Sequence, residues 1–164
     1  AYFQSFTNTY APVERMETMF RAAMEPEDIV GLAIATRPDC LPEETVALLA
    51  RLAREKYVSV ELGLQTVHND TARAMNRCYD TDVYFDAVKR LRNAGLEVVT
   101  HLILGLPGES REAMVESARQ VAAAGTDGVK FHLLHVMADA PLAEDYAAGT
   151  FRCLELEEYG EVLN

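Results

Sequence analysis

The amino-acid sequence predicts an α/β fold, a parallel sheet of about five strands with helices outside it. Three observations carry that prediction. Short β-rich runs alternate with helical repeats in the order βαβαβαβαβα. The run Ile29-Val30-Gly31-Leu32-Ala33-Ile34-Ala35 is apolar at nearly every position, the pattern of a parallel strand buried on both faces. Residues of unusual chemistry follow the strands, where the loops of open and barrel-like parallel sheets converge on a ligand.

Taken in order, Tyr2 to Phe6 reads as the first strand, and Val13, Met16, Phe20, Ala23 and Met24 then recur at helical spacing. Ile29 to Ala35 is the second strand. Pro42, followed by Glu43 and Glu44, opens the next helix: a first-turn proline lacks only an N–H that the helix leaves unused, and carboxylates favour its positive end. Val58 to Leu64 is the third strand. Thr81 or Asp80 caps a helix whose inner stripe is Tyr84, Ala87, Val88, Leu91 and Ala94, with Gly95 as its stop. Leu96 to Leu104 is the fourth strand. Ser110 caps a helix with Met114, Ala118, Val121 and Ala122 inward and Gly125 as stop, and Val129 to Leu134 is the fifth strand. Beyond Pro141 the pattern gives a short helix ending at Gly149 and an acidic helix over Glu155 to Leu163, expected to pack away from the sheet in a longer protein.

The 164 residues, 49% hydrophobic and 25% charged, have the composition of one globular domain over residues 1–164. A closed eight-fold barrel, which needs at least about 200 residues, is excluded. No apolar run approaches the roughly 20 residues that span a bilayer, and nothing resembles a signal peptide, so a cytoplasmic location is expected. Lys and Arg total 15 against 26 Asp and Glu, a net charge of −11 that argues against a general grip on a nucleic-acid backbone. Cys40, Cys78 and Cys153 lie far apart, which suits a reducing compartment and fits neither a zinc knuckle nor a disulfide framework. A chain already in strand at Ala1-Tyr2-Phe3 is expected to begin partway through a larger protein.

Each strand-end segment has a structural reading beside a functional one. Thr36-Arg37-Pro38-Asp39 is a good turn in its own right. Gly105-Leu106-Pro107-Gly108 before Ser110 is a tight turn and helix cap, or a close backbone approach to a flat ligand or an anion, and it lacks the Lys of a phosphate loop. Glu61, Gly63 and Gln65 share one strand face, and a polar face of that kind lines a cavity or a crowded barrel interior, unless Gln65 merely caps the following helix. His132 and His135, three apart near a strand, point to opposite faces and are expected to be structural. Cys40, without a neighbouring His or Cys, reads as a buried or incidental thiol.

Taken together, Phe3-Gln4-Ser5-Phe6-Thr7-Asn8-Thr9-Tyr10, Thr36-Arg37-Pro38-Asp39, Glu61-Leu62-Gly63-Leu64-Gln65-Thr66, Met75-Asn76-Arg77 and His101-Leu102-Ile103-Leu104-Gly105-Leu106-Pro107-Gly108-Glu109 resemble, in order, the radical SAM superfamily. The likeness is to the branch of the Elongator catalytic subunit and oxygen-independent coproporphyrinogen oxidase, and within it to bacterial Fe-S oxidoreductase-like proteins. The resemblance implies a partial (β/α)6-type barrel, truncated, lacking the first strand and the cluster-binding loop. It implies S-adenosylmethionine as cofactor and, in the intact protein, a [4Fe-4S] cluster that reduces it to a 5′-deoxyadenosyl radical for hydrogen abstraction. By the same resemblance, Thr7, Asn8 and Thr9 lie where a glycine-rich loop meets the methionine amino group. Thr36, next to the Ala35 that replaces a ribose-binding Glu, is expected among the cofactor-binding residues. Gln65 and Arg77 lie near the carboxylate, His101 near the ribose, and Leu104 with the Leu134 to Val136 backbone, His135 included, beside adenine. Gln4, Ser5 and Phe6 replace the usual glycines, Cys78-Tyr79 replaces a common Gly-His, and the three cysteines here, 38 and 75 positions apart, cannot form the family's C-x3-C-x2-C loop.

The expected function is therefore that of a piece of a radical S-adenosylmethionine enzyme, inactive alone, with tRNA or a cofactor as the substrate modified. Two other classes are set beside it. A β/α-barrel lyase or aldolase would need a buried Lys or metal-binding carboxylates, and Lys130 is the one inward candidate. A non-enzymatic scaffold would bind a partner through its acidic tail. Truncation also predicts an uncovered edge at Tyr2 to Phe6, through which the chain is expected to dimerise.

Overall fold

The computed structural model describes residues 1–164. Five strands, β1 (Tyr2–Phe3), β2 (Gly31–Thr36), β3 (Tyr57–Gln65), β4 (Glu97–Leu104) and β5 (Gly128–Leu133), form one sheet in sequential order, every neighbouring pair parallel. The connections carry α1 (Val13–Met24), α2 (Glu43–Leu52), α3 (Asn69–Ala74), α4 (Thr81–Asn93) and α5 (Arg111–Ala123); α6 (Leu142–Ala147) and α7 (Leu156–Leu163) follow β5. The Ser110 hydroxyl accepts from the Ala113 N–H at the start of α5, and Gly95, Gly125 and Gly149 take the left-handed backbone expected of helix stops.

The period of two divides the sheet. Leu32, Ile34, Val58, Val60, Leu62, Leu64, Val98 and Leu102 point to one side, where Met16, Phe20, Leu48, Leu49, Leu52, Tyr84, Val88 and Leu91 of the helices close a single core. On the other side the parity places Ala33, Ala35, Glu61, Gly63, His101, Ile103, Lys130 and His132. This corrects the reading of the second strand as buried on both faces: Ala33 and Ala35 are half-buried, Val30 is exposed, and pairing begins at Gly31, whose missing side chain lets Tyr57 lie close.

The sheet is curled. Four strand spacings of about 4.8 Å would hold β1 and β5 roughly 19 Å apart if it were flat. Yet Lys130 Nζ on β5 lies 3.4 Å from Tyr2 Oη on β1, with both over Glu61 of the middle strand. Side chains from opposite edges meet only if the uncovered face is concave, which is the geometry of part of a barrel.

One strand boundary and the packing of the tail differ from expectation. β1 stops at Phe3 because Phe6 takes a left-handed backbone (φ 63°) and the Asn8 amide donates to the Phe3 and Ala35 carbonyls, turning the chain away from the sheet. α7 packs on α5, where Arg111 donates to the Glu161 carbonyl, and Leu154 lies against Gly105; the tail thus rests on this chain. No helix is long and apolar enough to cross a membrane.

Candidate active site

Loops from four strands enclose a cavity of about 410 Å³ at the carboxyl end of the sheet, lined by Phe6, Ala35, Thr36, Arg37, Glu61, Gly63, Gln65, Arg77, Tyr79, His101 and Ile103 among others. A second, of about 540 Å³, runs toward β5 past His132, Leu134, His135 and Val136, and the two share Met75, Asn76 and Ile103 as a common wall. Together they form one cleft, polar over β2 and β3 and more apolar beside β5.

Backbone strain gathers here. The four non-glycine residues with positive φ are Phe6 (63°), Gln65 (66°), Asn76 (55°) and Cys78 (67°). Three line the first cavity and the fourth adjoins it. A left-handed backbone costs an L-residue about 1–2 kcal/mol, so glycine would be less strained where Phe6 and Cys78 stand. At Gln65 the strain coincides with a bulge: Gly63 pairs with His101 and Gln65 with Leu102, leaving Leu64 extra. The bulge lays the Gln65 carboxamide against Gly63, where an added Cβ would sit 2.7 Å from Nε2.

Arg77 maintains that bend, and here the structure corrects the expected role. All five of its N–H groups are engaged inside the chain: Nη1 donates to the carbonyls of Leu64 and Thr66, Nε to that of Tyr79, and Nη2 to Asn69 Oδ1 and Thr81 Oγ1. None remains for a carboxylate. Instead the guanidinium grips the two carbonyls flanking Gln65 and stacks 4.6 Å over the Tyr79 ring. Burial pushes the Tyr79 phenol far above its usual range, and its hydroxyl donates to the Gly63 carbonyl.

Other candidates shift as well. Thr9 and Thr36 are buried and bond each other, Oγ1 to Oγ1, at 2.6 Å, tying the first two strand-end loops. Both Asn8 amide donors are engaged as described, and Thr7 contributes its carbonyl to a turn with Tyr10. Phe6, not Thr7, Asn8 or Thr9, reaches the first cavity. Leu104 faces the helices beside Met114 and Phe131, because its parity is opposite to that of His101 and Ile103; Ile103 is the apolar side chain in the cleft. Leu134, His135 and Val136 all line the second cavity.

Sequence reasoning missed a polar chain across the concave face. Glu61, 5% exposed, accepts from Tyr2 Oη at 2.7 Å, His101 Nε2 at 2.8 Å and Lys130 Nζ at 2.7 Å on both oxygens. His132 Nε2 in turn lies 3.2 Å from His101 Nδ1, the rings 4.9 Å apart. Burial pushes the Glu61 carboxyl up, but the bonds from Lys130, Tyr2 and His101 outweigh it and hold it below the ordinary glutamate range. Burial, joined by the charges of His132 and Lys130, pulls His101 below its usual range although Glu61 raises it. The available signal was parity: Lys130 and His132 alternate onto the same face as His101. Lys130, held by both Glu61 oxygens, is no free amine of the kind a lyase would need.

The fold defines an α/β protein with a cleft at the carboxyl edge of a curled parallel sheet. A profile of the Radical SAM superfamily matches residues 6–121 and one of the Radical_SAM C-terminal domain residues 126–164, and the chain belongs to the radical SAM superfamily. It is 45% identical over 163 residues to uncharacterized protein YtqA of Bacillus subtilis (strain 168), covering 99% of this chain and 51% of that protein. It is 29% identical over 138 residues to a tRNA uridine(34) acetyltransferase of Methanocaldococcus infernus, covering 82% and 25%. Among solved structures, that of archaeal Methanocaldococcus infernus Elp3 with an N-terminal deletion superposes with a TM-score of 0.83 at 24% identity, covering 99% of this chain and 43% of that one. The chain spans about half the length of YtqA and of other curated relatives that it matches.

The family's cofactors are S-adenosylmethionine and a [4Fe-4S] cluster. The cysteines do not fit the cluster: Cys40 lies in the turn after β2, Cys78 after α3 and Cys153 in the tail, and no group of three His, Cys, Asp or Glu side chains is placed to hold a metal.

Proposed function

We propose that the carboxyl-end cleft is the S-adenosylmethionine site of a radical S-adenosylmethionine oxidoreductase that modifies a tRNA nucleoside. The observation that carries this reading is the joining of a polar cavity to a more apolar one along one sheet edge, which suits a ligand with a charged methionyl end and a flat adenine. In this reading the Gln65 carboxamide meets the methionyl end, and Ile103, Met75 and the Leu134 to Val136 segment flank the adenine. Arg77 acts by holding Gln65. In this family the bound cofactors supply the radical that abstracts hydrogen; this chain's residues orient the nucleoside part and exclude water. The tRNA substrate is supported by the name of the Methanocaldococcus infernus relative, and the −11 charge assigns phosphate contacts to other parts of the protein. The edge of β1, paired only to β2, supports dimerisation of this chain through strand addition.

Calorimetric titration of S-adenosylmethionine into the reconstituted longer protein tests the site. Gln65→Ala is expected to weaken binding about tenfold or more, since a hydrogen bond to a charged group is worth roughly 1.5–3 kcal/mol. Unchanged affinity overturns the placement, and S-adenosylmethionine consumption indifferent to added tRNA overturns the substrate class.

A further inference from the structure

We infer that the concave-face chain Glu61–His101–His132 is an acid–base unit whose working atom is His132 Nδ1, serving an N–H or O–H acid held in the cleft. An ionised carboxylate only accepts, so His101 must carry its proton on Nε2, facing Glu61 at 2.8 Å. Its Nδ1 is then an acceptor, so His132 must present Nε2–H to it at 3.2 Å. That leaves the His132 Nδ1 lone pair outermost. Exposure rises in the same order, from Glu61 at 5% through the His101 side chain at 18% to the exposed His132. The chain thus leads from a buried charge to the wall of the second cavity. Lys130 and Tyr2 occupy the remaining capacity of Glu61, which fixes the carboxylate and through it both tautomers.

The step conserves its atoms. The acid's X–H bond breaks with the electron pair left on X, and the His132 lone pair forms the new N–H bond. The resulting positive charge is shared by the two imidazoles through the His132 Nε2–H and faces Glu61; on release the proton returns from Nδ1. Other titratable groups face the unit: Tyr2 from β1 and Lys130 from β5, Arg37 and Tyr79 across the first cavity, and His135 and Asp145 across the second. Lys130 opposes the charge and Glu61 favours it. The assignment does not depend on which cofactor fills the cleft.

Long-range 15N NMR on the four histidines of the chain reads the tautomers directly. Above neutral pH, His101 and His132 are both expected as Nε2–H tautomers, and the proton taken up on acidification is expected to be registered by both rings. Glu61→Gln is expected to lower the proton affinity of the pair by roughly threefold or more, and His101→Asn to disconnect His132 from residue 61. An Nδ1–H tautomer on either ring, protonation registered by one ring alone, or a pair unmoved by Glu61→Gln overturns the proposal. The tautomers of the unsubstituted chain decide it even where a variant fails to fold. A cleft that binds no S-adenosylmethionine would leave this spectrum unaltered, so the two readings fail separately.

Discussion

The two faces of β3 lie side by side on one strand and follow different rules. Toward the helices, Val58, Val60, Leu62 and Leu64 are at most 3% exposed among other apolar side chains. Toward the concave side, Glu61, Gly63 and Gln65 line the first cavity among charges, hydroxyls and carbonyls. The first face is set by volume and area, which tolerate any arrangement that fills space. The second is set by partners, because each polar group there needs a specific donor or acceptor. A fold of this kind assigns stability to one parity of its strands and chemistry to the other.

The largest expected effect tests the apolar face. Leu62→Ala should cost about 2–5 kcal/mol, the usual range for a fully buried leucine, seen as a lower denaturation midpoint in urea. A loss under about 1 kcal/mol would mean that the helices do not pack as described.

Arg77 blurs the division, since it lines the cleft but holds structure. Arg77→Ala leaves the Leu64, Thr66 and Tyr79 carbonyls short of a donor and should destabilise the chain by roughly 2–4 kcal/mol. Arg77→Lys should recover little, a point charge being unable to reproduce the fork. A melting temperature unchanged by Arg77→Ala would return the residue to a direct ligand role.

The concave face should be the more sensitive to acid. Glu61 is depressed in the folded chain, so its contribution is present above the ordinary glutamate value near 4.5 and is lost as pH falls through its lower folded value. His101 is depressed too; its contribution is present above about 6.5 and fades as pH falls through its lower folded value. Stability measured against pH should therefore begin to fall below about 6.5 and fall further below about 4.5. In Glu61→Gln the lower limb should flatten while the upper one persists. An unaltered lower limb would assign acid sensitivity to surface pairs instead.

The smallest effect concerns strain at the cleft. Cys78, exposed and left-handed, should be relieved by Cys78→Gly. Removing about 1–2 kcal/mol of strain against glycine's added unfolded-state entropy leaves a gain of roughly 0.5–1 kcal/mol, or about 1–4 °C in Tm. A loss of stability would show that the Cys78 thiol's bond to the Asn76 carbonyl matters more than the backbone.

By itself the sequence determined the order of elements, the parallel sheet and the edge at which the cleft opens, because these follow from periodicity, caps and the stacking of strand after helix. It also determined that Glu61, Gly63 and Gln65 share a face, a matter of counting by two. Only the tertiary structure decided what each group does. The Arg77 guanidinium reads in sequence as a free charge, yet whether its five donors face a ligand or five groups of its own chain depends on where residues 64–81 fold back. The meeting of Tyr2, Glu61 and Lys130 depends on a curvature that brings residues 128 positions apart into contact. Leu104 and Ile103 are equally apolar neighbours in the sequence, and only the register of β4 against β3 and β5 settles which enters the cleft. Local propensity is carried by neighbouring residues and can be read from them, whereas a hydrogen bond between distant strands depends on curvature and register that form only when the whole sheet assembles.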